Sequence, residues 1–164
     1  MESTNVMESK KIIDILNDLI CINKDRIVGY EKALDEVEGE SYQNTRELFM
    51  ERVYESRVFA TELSTTVVQL GGEPAEDTTA AGKLYRMWMD LKTSFTGGSQ
   101  KSVFELCEFG EDVALKTYDQ ALMEKITWPD DVFAMLTRQR HFLQKAHDIV
   151  KKHRNELRKA DIKG

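Results

Sequence analysis

The chain has 164 residues, 41% of them hydrophobic and 32% charged, with a formal net charge of −6. That length suits one domain with a sizeable core, and no apolar run approaches the ~20 residues of a membrane span. The segment Met1 to Glu8 is polar and acidic, unlike a secretory leader, so the cytoplasm is the expected compartment.

The charge is uneven. From Arg138 onward there are nine Lys/Arg against three Asp/Glu, while the remainder is strongly acidic. A basic last helix complements acidic neighbours and its own dipole. The acidic remainder opposes nucleic acid, which is not expected as a partner.

Residues 1–8 are expected as a flexible N-terminus and 9–160 as one bundle. The first helix is predicted over about 9–37. Ile12, Leu16, Leu19, Asn23, Ile27 (or Arg26), Tyr30, Leu34 and Val37 recur at three- and four-residue steps, one face of an amphipathic helix. A break at 38–41 follows, with Ser41 able to cap the next helix. The second helix is predicted over about 42–70 on Phe49, Arg52 or Val53, Ser56, Phe59, Leu63, Thr66 and Leu70. Gly71-Gly72 suits a left-handed end and Pro74 forbids continuation.

A shorter helix is predicted over about 78–95 on Leu84, Trp88, Leu91 and Phe95, closed by Gly97-Gly98. The third long helix follows over about 99–123. The fourth starts at Thr127-Trp128-Pro129-Asp130 and runs to about 159 on Val132, Leu136, Gln139, Leu143, Ala146, Val150, His153 and Leu157. The expected fold is all-α: a four-helix bundle with a short crossover helix between helices two and three. The crossover makes those two helices parallel, as in ferritin-like topology.

Four polar residues interrupt the apolar stripes: Asn23, Glu108, Glu111 and Gln139. Together they form a predicted central polar layer. Glu108 and Glu111 are spaced i, i+3 on the stripe of Phe104, Leu115, Tyr118 and Leu122. Carboxylates on a buried face need a proton, a cation, a metal or an arginine. The simplest partners for the two amides are each other, Tyr30, or the two glutamates. Glu31, Glu55 and Glu62 lie beside their stripes and are read as flanking, solvated positions.

A dimetal bundle site takes a Glu from each of one helix pair and Glu-x-x-His from each of the other. The chain contains no Glu-x-x-His. His141, His147 and His153 are six residues apart on one helix, so their rings project about 120° from one another and cannot share an ion. Cys21 and Cys107 lie in apolar helical segments and are read as buried free thiols.

Several phrases together resemble an uncharacterised bacterial branch of the ferritin-like four-helix-bundle superfamily. They are Asn23-Lys-Asp-Arg-Ile-Val-Gly-Tyr-Glu31, Leu70-Gly-Gly-Glu-Pro74, and Glu108-Phe-Gly-Glu-Asp-Val-Ala114 with Tyr118 and Ala121-Leu122. The resemblance implies fold more than activity. Set against metal-binding relatives such as bacterioferritin, it puts Asn23 at the first-helix Glu. Ser56 and Phe59 then stand at one Glu-x-x-His, and Gln139 and Phe142 at the other. Only Glu108 and Glu111 keep an acid, which implies a degenerate metal site.

The expected function is therefore a non-enzymatic bundle with a structural, interaction or stress-associated role, with no catalytic residue, cofactor or metal. A homodimer is the expected assembly. The alternative is a divergent di-iron or di-manganese carboxylate protein using Glu108 and Glu111. Whether the protein is an enzyme is left open, with the balance against it.

Overall fold

A computed structural model describes residues 2–37, 39, 42–76 and 100–163. The helix expected around Trp88 and the cap expected at Ser41 lie outside the described residues. Among the described residues there are four helices: α1 (Glu2–Glu36), α2 (Gln43–Gln69), α3 (Gln100–Met123) and α4 (Asp130–Lys163). Helix α1 begins at Glu2 rather than at residue 9, and Glu8 accepts a hydrogen bond from the Thr127 N–H at 2.8 Å.

Cross-helix pairs fix the directions. Arg26 meets Glu55, while Arg46 donates to the Leu34 and Val37 carbonyls, so α1 and α2 are antiparallel. Asn23 meets Tyr118 and Arg26 meets Glu111, so α1 and α3 are antiparallel too. Tyr118 pairs with Gln139 and Glu108 with Arg154, which makes α3 and α4 antiparallel. Helices α2 and α3 are therefore parallel, and the connection between them must travel the length of the bundle.

Its first step is visible. Helix α2 ends at Leu70, and Gly71 takes φ +86°, a conformation that side chains with a Cβ disfavour. The Gly71 N–H donates to the Val68 carbonyl and the Gly72 N–H to Val67, the bond pair of a Schellman end. A Cβ on Gly72 would come within 2.8 Å of Ile13, so this turn sits tightly on α1. The chain then doubles back along α1. Asn17 bonds Glu73 and Ala75, and Lys24, two turns on, donates to the carbonyls of Ala75 and Glu76. That heading leads toward the end of the bundle where α3 begins.

The core has two apolar blocks. One gathers Ile12, Leu16, Leu19, Phe59, Leu63, Leu136 and Leu143. The other gathers Tyr30, Phe49, Val53, Phe104, Cys107 and Val150. Between them lie buried Asn23, Arg26, Ser56, Glu111 and Gln139.

Candidate functional site: a polar layer across the bundle

Each polar residue of the layer is buried because its helix buries that stripe. On α1 the buried positions include Leu16, Leu19, Asn23, Arg26, Tyr30 and Ala33, spaced by three and four. On α3 they include Phe104, Cys107, Glu111, Leu115 and Tyr118, and on α4 Val132, Leu136, Gln139, Leu143 and Ala146. The backbone periodicity thus delivers a guanidinium, a carboxylate and two amides to one level of the core.

The charged half centres on Arg26, whose side chain is 1% exposed. Its Nη2 and Nε lie 2.8 and 3.0 Å from Oε1 of Glu111, which is fully buried. Nη2 also reaches Glu55 Oε1 at 3.2 Å, and the Tyr30 hydroxyl donates to the same Glu111 oxygen at 2.6 Å. Burial alone works against the Arg26 charge. The carboxylate of Glu111, with Tyr30 and Glu55, outweighs it and holds the guanidinium's pKa above its ordinary value. One oxygen of Glu111 therefore collects three donor contacts, and the cation that neutralises it is part of the chain.

The neutral half is a relay of three side chains. Asn23 Nδ2 donates to the Leu19 carbonyl and to the Tyr118 hydroxyl, both at 2.9 Å. Tyr118 in turn donates to Gln139 Oε1 at 2.6 Å. The amides are thus not each other's partners; Tyr118, about two turns beyond Glu111 on α3, joins them. Gln139 Nε2 lies 3.4 Å from Glu62 Oε1, and Glu62 pairs with Arg138 at the surface.

The layer reaches solvent between α2 and α4, where a groove of about 720 Å³ is lined by Met50, Tyr54, Val58, Phe59 and Phe142 beside Glu55 and Arg138. Glu55 is 14% exposed, not solvated as its sequence position suggests, because Arg26 draws it inward. Glu62 is partly buried, whereas Glu31 is exposed and pairs with Arg57. Phe59 and Phe142 pack together with ring centroids 6.4 Å apart.

Glu108 and Glu111 do not share a site. Glu108 turns to the α3–α4 seam, where its Oε2 lies 2.7 Å from Arg154 Nη1. The three histidines are also apart: His153 stacks on Phe104, His141 contacts the edge of Phe142, and His147 meets Asp112.

The polar layer can be tested as a home for two metal ions. Glu55 and Glu111 already face the Arg26 guanidinium, so a dication placed between them would meet that fixed positive charge, and Glu62 beside Gln139 is paired with Arg138. Asn23 and Gln139 bring neutral amides, and the rings of Phe59 and Phe142 offer no donor atom. These residues do not fit a dinuclear carboxylate centre.

Two tyrosines and a thiol in this core are held neutral. Burial, then the Glu111 charge, pushes the Tyr30 hydroxyl and the Cys107 thiol well above their ordinary pKa values; burial raises Tyr118 too. A tyrosine whose folded pKa is raised contributes stability that is complete below the unfolded pKa of about 10 and declines as pH rises above it. Two of the five tyrosines should therefore resist ionisation in an alkaline titration at 295 nm until the chain unfolds, with stability falling above pH ~10. Ionisation of all five in step with intact helix content would contradict this.

With this geometry in view, comparison with known proteins becomes informative. Residues 11–124, from α1 to the end of α3, match the family described as Domain of unknown function (DUF2383). The chain belongs to the DUF2383 family. No curated protein matches it in sequence. Among solved structures it is similar to a point mutant of Dps1 from Mycobacterium smegmatis, with TM-score 0.76 at 18% identity, covering 90% of this chain and 97% of that one. It is also similar to the bacterioferritin-related dodecameric thioferritin of Bacteroides fragilis, with TM-score 0.74 at 17% identity over 94% and 90% of the two chains. A ferritin-like diiron-carboxylate protein from Bacillus anthracis matches with TM-score 0.59 at 16% identity, over 93% and 96%. This DUF2383 member has the ferritin-like four-helix-bundle fold, as its sequence phrases implied.

Sequence reasoning missed two features of the layer in this DUF2383 chain. Arg26 stood only as an alternative to Ile27 on the α1 stripe, and Tyr118 was counted as an apolar stripe residue. The available signal was a matched set: a basic residue at a core spacing on one helix and an acid at a core spacing on another.

Proposed function

We propose that this chain is a non-enzymatic ferritin-like bundle, a structural, interaction or stress-associated protein whose central layer is locked by an internal cation instead of by metal ions. The observation that carries this reading is the fully enclosed Arg26–Glu111 pair, with Tyr30 and Glu55 closing around it. A guanidinium at this level neutralises the acids and joins α1, α2 and α3 by directional bonds. A metal pair ties together all four helices of such a bundle; the guanidinium ties three, so the exchange keeps much of the architectural role and gives up the redox and Lewis-acid chemistry. The alternative, a di-iron or di-manganese centre on Glu108 and Glu111, is disfavoured because the two side chains point to different arginines.

Self-association belongs to the same proposal. The Bacteroides relative is dodecameric by its description. The α2–α4 face exposes Met50, Tyr54 and Phe142. A two-fold homodimer is the commonest closed form. Among the described residues no helix is long and apolar enough to cross a membrane, and two free cysteines fit a reducing cytoplasm.

The test is crystals grown with iron(II) or manganese(II), read by anomalous diffraction, together with light scattering. The expected result is no anomalous peak bound to Glu55 or Glu111, no ferrous oxidation above buffer, and a dimer mass. A pair of strong peaks inside the layer would overturn the reading of a metal-free layer, and a monomer mass the dimer.

A further inference from the structure

The α3–α4 seam holds a second cluster, separate from the buried layer. Glu108 and Asp112 are spaced i, i+4 and share one face of α3. Helix α4 runs antiparallel beside them and brings His147 to the same point. One ligand atom from each residue lies within 4.8 Å of the other two. His147 Nε2 is 2.6 Å from Asp112 Oδ1. Donor atoms around one tetrahedral zinc ion stand about 3.4 Å apart, given bonds of about 2.0–2.2 Å. An ion entering here needs the side chains to shift by little more than about an ångström, and Asp112, 57% exposed, is free to swing.

Two further observations distinguish this trio from an ordinary acidic surface patch. The first is Glu108. It is only 9% exposed, and its Oε2, sealed from solvent, accepts no well-aligned hydrogen bond among the described residues although Arg154 Nη1 lies 2.7 Å away. The second is the far side of the imidazole. His147 Nδ1 faces Asp148 Oδ1 at 3.3 Å, and Gln144 Nε2 holds that same oxygen at 3.0 Å. With a metal ion in place of the Nε2 proton, a carboxylate behind Nδ1 would hold the ring with Nε2 facing Asp112 and Glu108. That is the outer-shell arrangement that orients metal-ligating histidines.

We propose that Glu108, Asp112 and His147 form a mononuclear site for a divalent transition-metal ion, with Asp148 orienting the imidazole. One nitrogen and two carboxylate oxygens suit zinc or a similar first-row ion. The three carboxylates and Arg154 leave a net charge of −2 beside the imidazole, which a dication balances. Glu108 has two oxygens, so it can bind the ion while keeping its contact with Arg154. The remaining coordination positions face solvent beside Asp112. A bound ion would cross-link α3 to α4 about two turns along α4 from Gln139, away from the Arg26 layer.

The test uses the full-length chain without a histidine tag, titrated with Co²⁺ and followed by its visible d–d absorption. Saturation at one equivalent is expected. His147→Gln and Asp112→Asn should each abolish the band or weaken binding by at least about tenfold, and Asp148→Asn by about 10–100-fold. Arg154→Gln should tighten binding, because a competing cation leaves Glu108. In a parallel melt, Zn²⁺ should raise the Tm of the wild-type chain and leave His147→Gln unmoved. Circular dichroism confirms folding; should His147→Gln not fold, the more exposed Asp112→Asn gives the same readout. No d–d band with the wild-type chain overturns the site, as does a band that His147→Gln and Asp112→Asn leave intact.

Discussion

Replacing Arg26 by methionine is expected to destabilise the bundle by about 3–5 kcal/mol, the cost of breaking a buried ion pair from one side. For a chain of this size that corresponds to a fall in Tm of roughly 6–20 °C. Glu111 is fully buried, and the substitution leaves its carboxylate with the Tyr30 hydroxyl alone among the donors described above. Glu55 suffers less, because it stands at the edge of the groove with Arg52 Nη1 3.8 Å away. Adding Glu111→Gln to the methionine variant removes the stranded charge and keeps an acceptor for Tyr30. The double variant should therefore recover most of the lost stability. Urea melts of wild type, both single variants and the double complete the cycle. If the double is no more stable than Arg26→Met alone, charge is not what couples these two residues.

The same pair shows why the sequence was legible to different depths. The stripes of α1, α3 and α4 survive a slip of one residue, because several large apolar side chains support each one. The four long helices, their directions and the parallel α2–α3 relation followed from those stripes and from the Gly71-Gly72 end. The polar layer was harder. After Asn23, steps of three and four lead to Arg26 and Ile27 alike, and hydrophobicity alone favours Ile27. Only the partner on α3 decides: a buried Glu111 draws the guanidinium inward and leaves Ile27 at the flank. That choice is tertiary, made across 85 residues of sequence separation. Glu55 followed the same logic, pulled in by a charge that no local pattern on α2 announces. His147 was set aside for the converse reason. Its spacing excludes a shared ion with His141 or His153, but says nothing about two carboxylates on a neighbouring helix.

Removing the neutral relay as a unit should be harmless where removing part of it is not. Tyr118→Phe alone is expected to cost about 1–3 kcal/mol, because Gln139 Oε1 loses a donor held at 2.6 Å inside the core. Asn23→Leu with Gln139→Leu should cost a similar amount, since the Tyr118 hydroxyl then lacks both of its amide partners. Had the two amides bonded each other, replacing both by leucine would leave no partner unsatisfied; the intervening hydroxyl changes the sign of that prediction. Adding Tyr118→Phe to the leucine pair leaves no orphan among the three and extends the apolar block of Leu19, Leu136 and Leu143 across the level. The triple variant should match or exceed wild type in its denaturation midpoint. Its weakness would be specificity: without a directional relay, α1, α3 and α4 lose one constraint on register, which a reduced m-value or broadened amide spectra would reveal. The decisive comparison is the triple against the double. If adding Tyr118→Phe restores nothing, the buried hydroxyl was not the unsatisfied group, and the relay is not the unit that its hydrogen bonds describe.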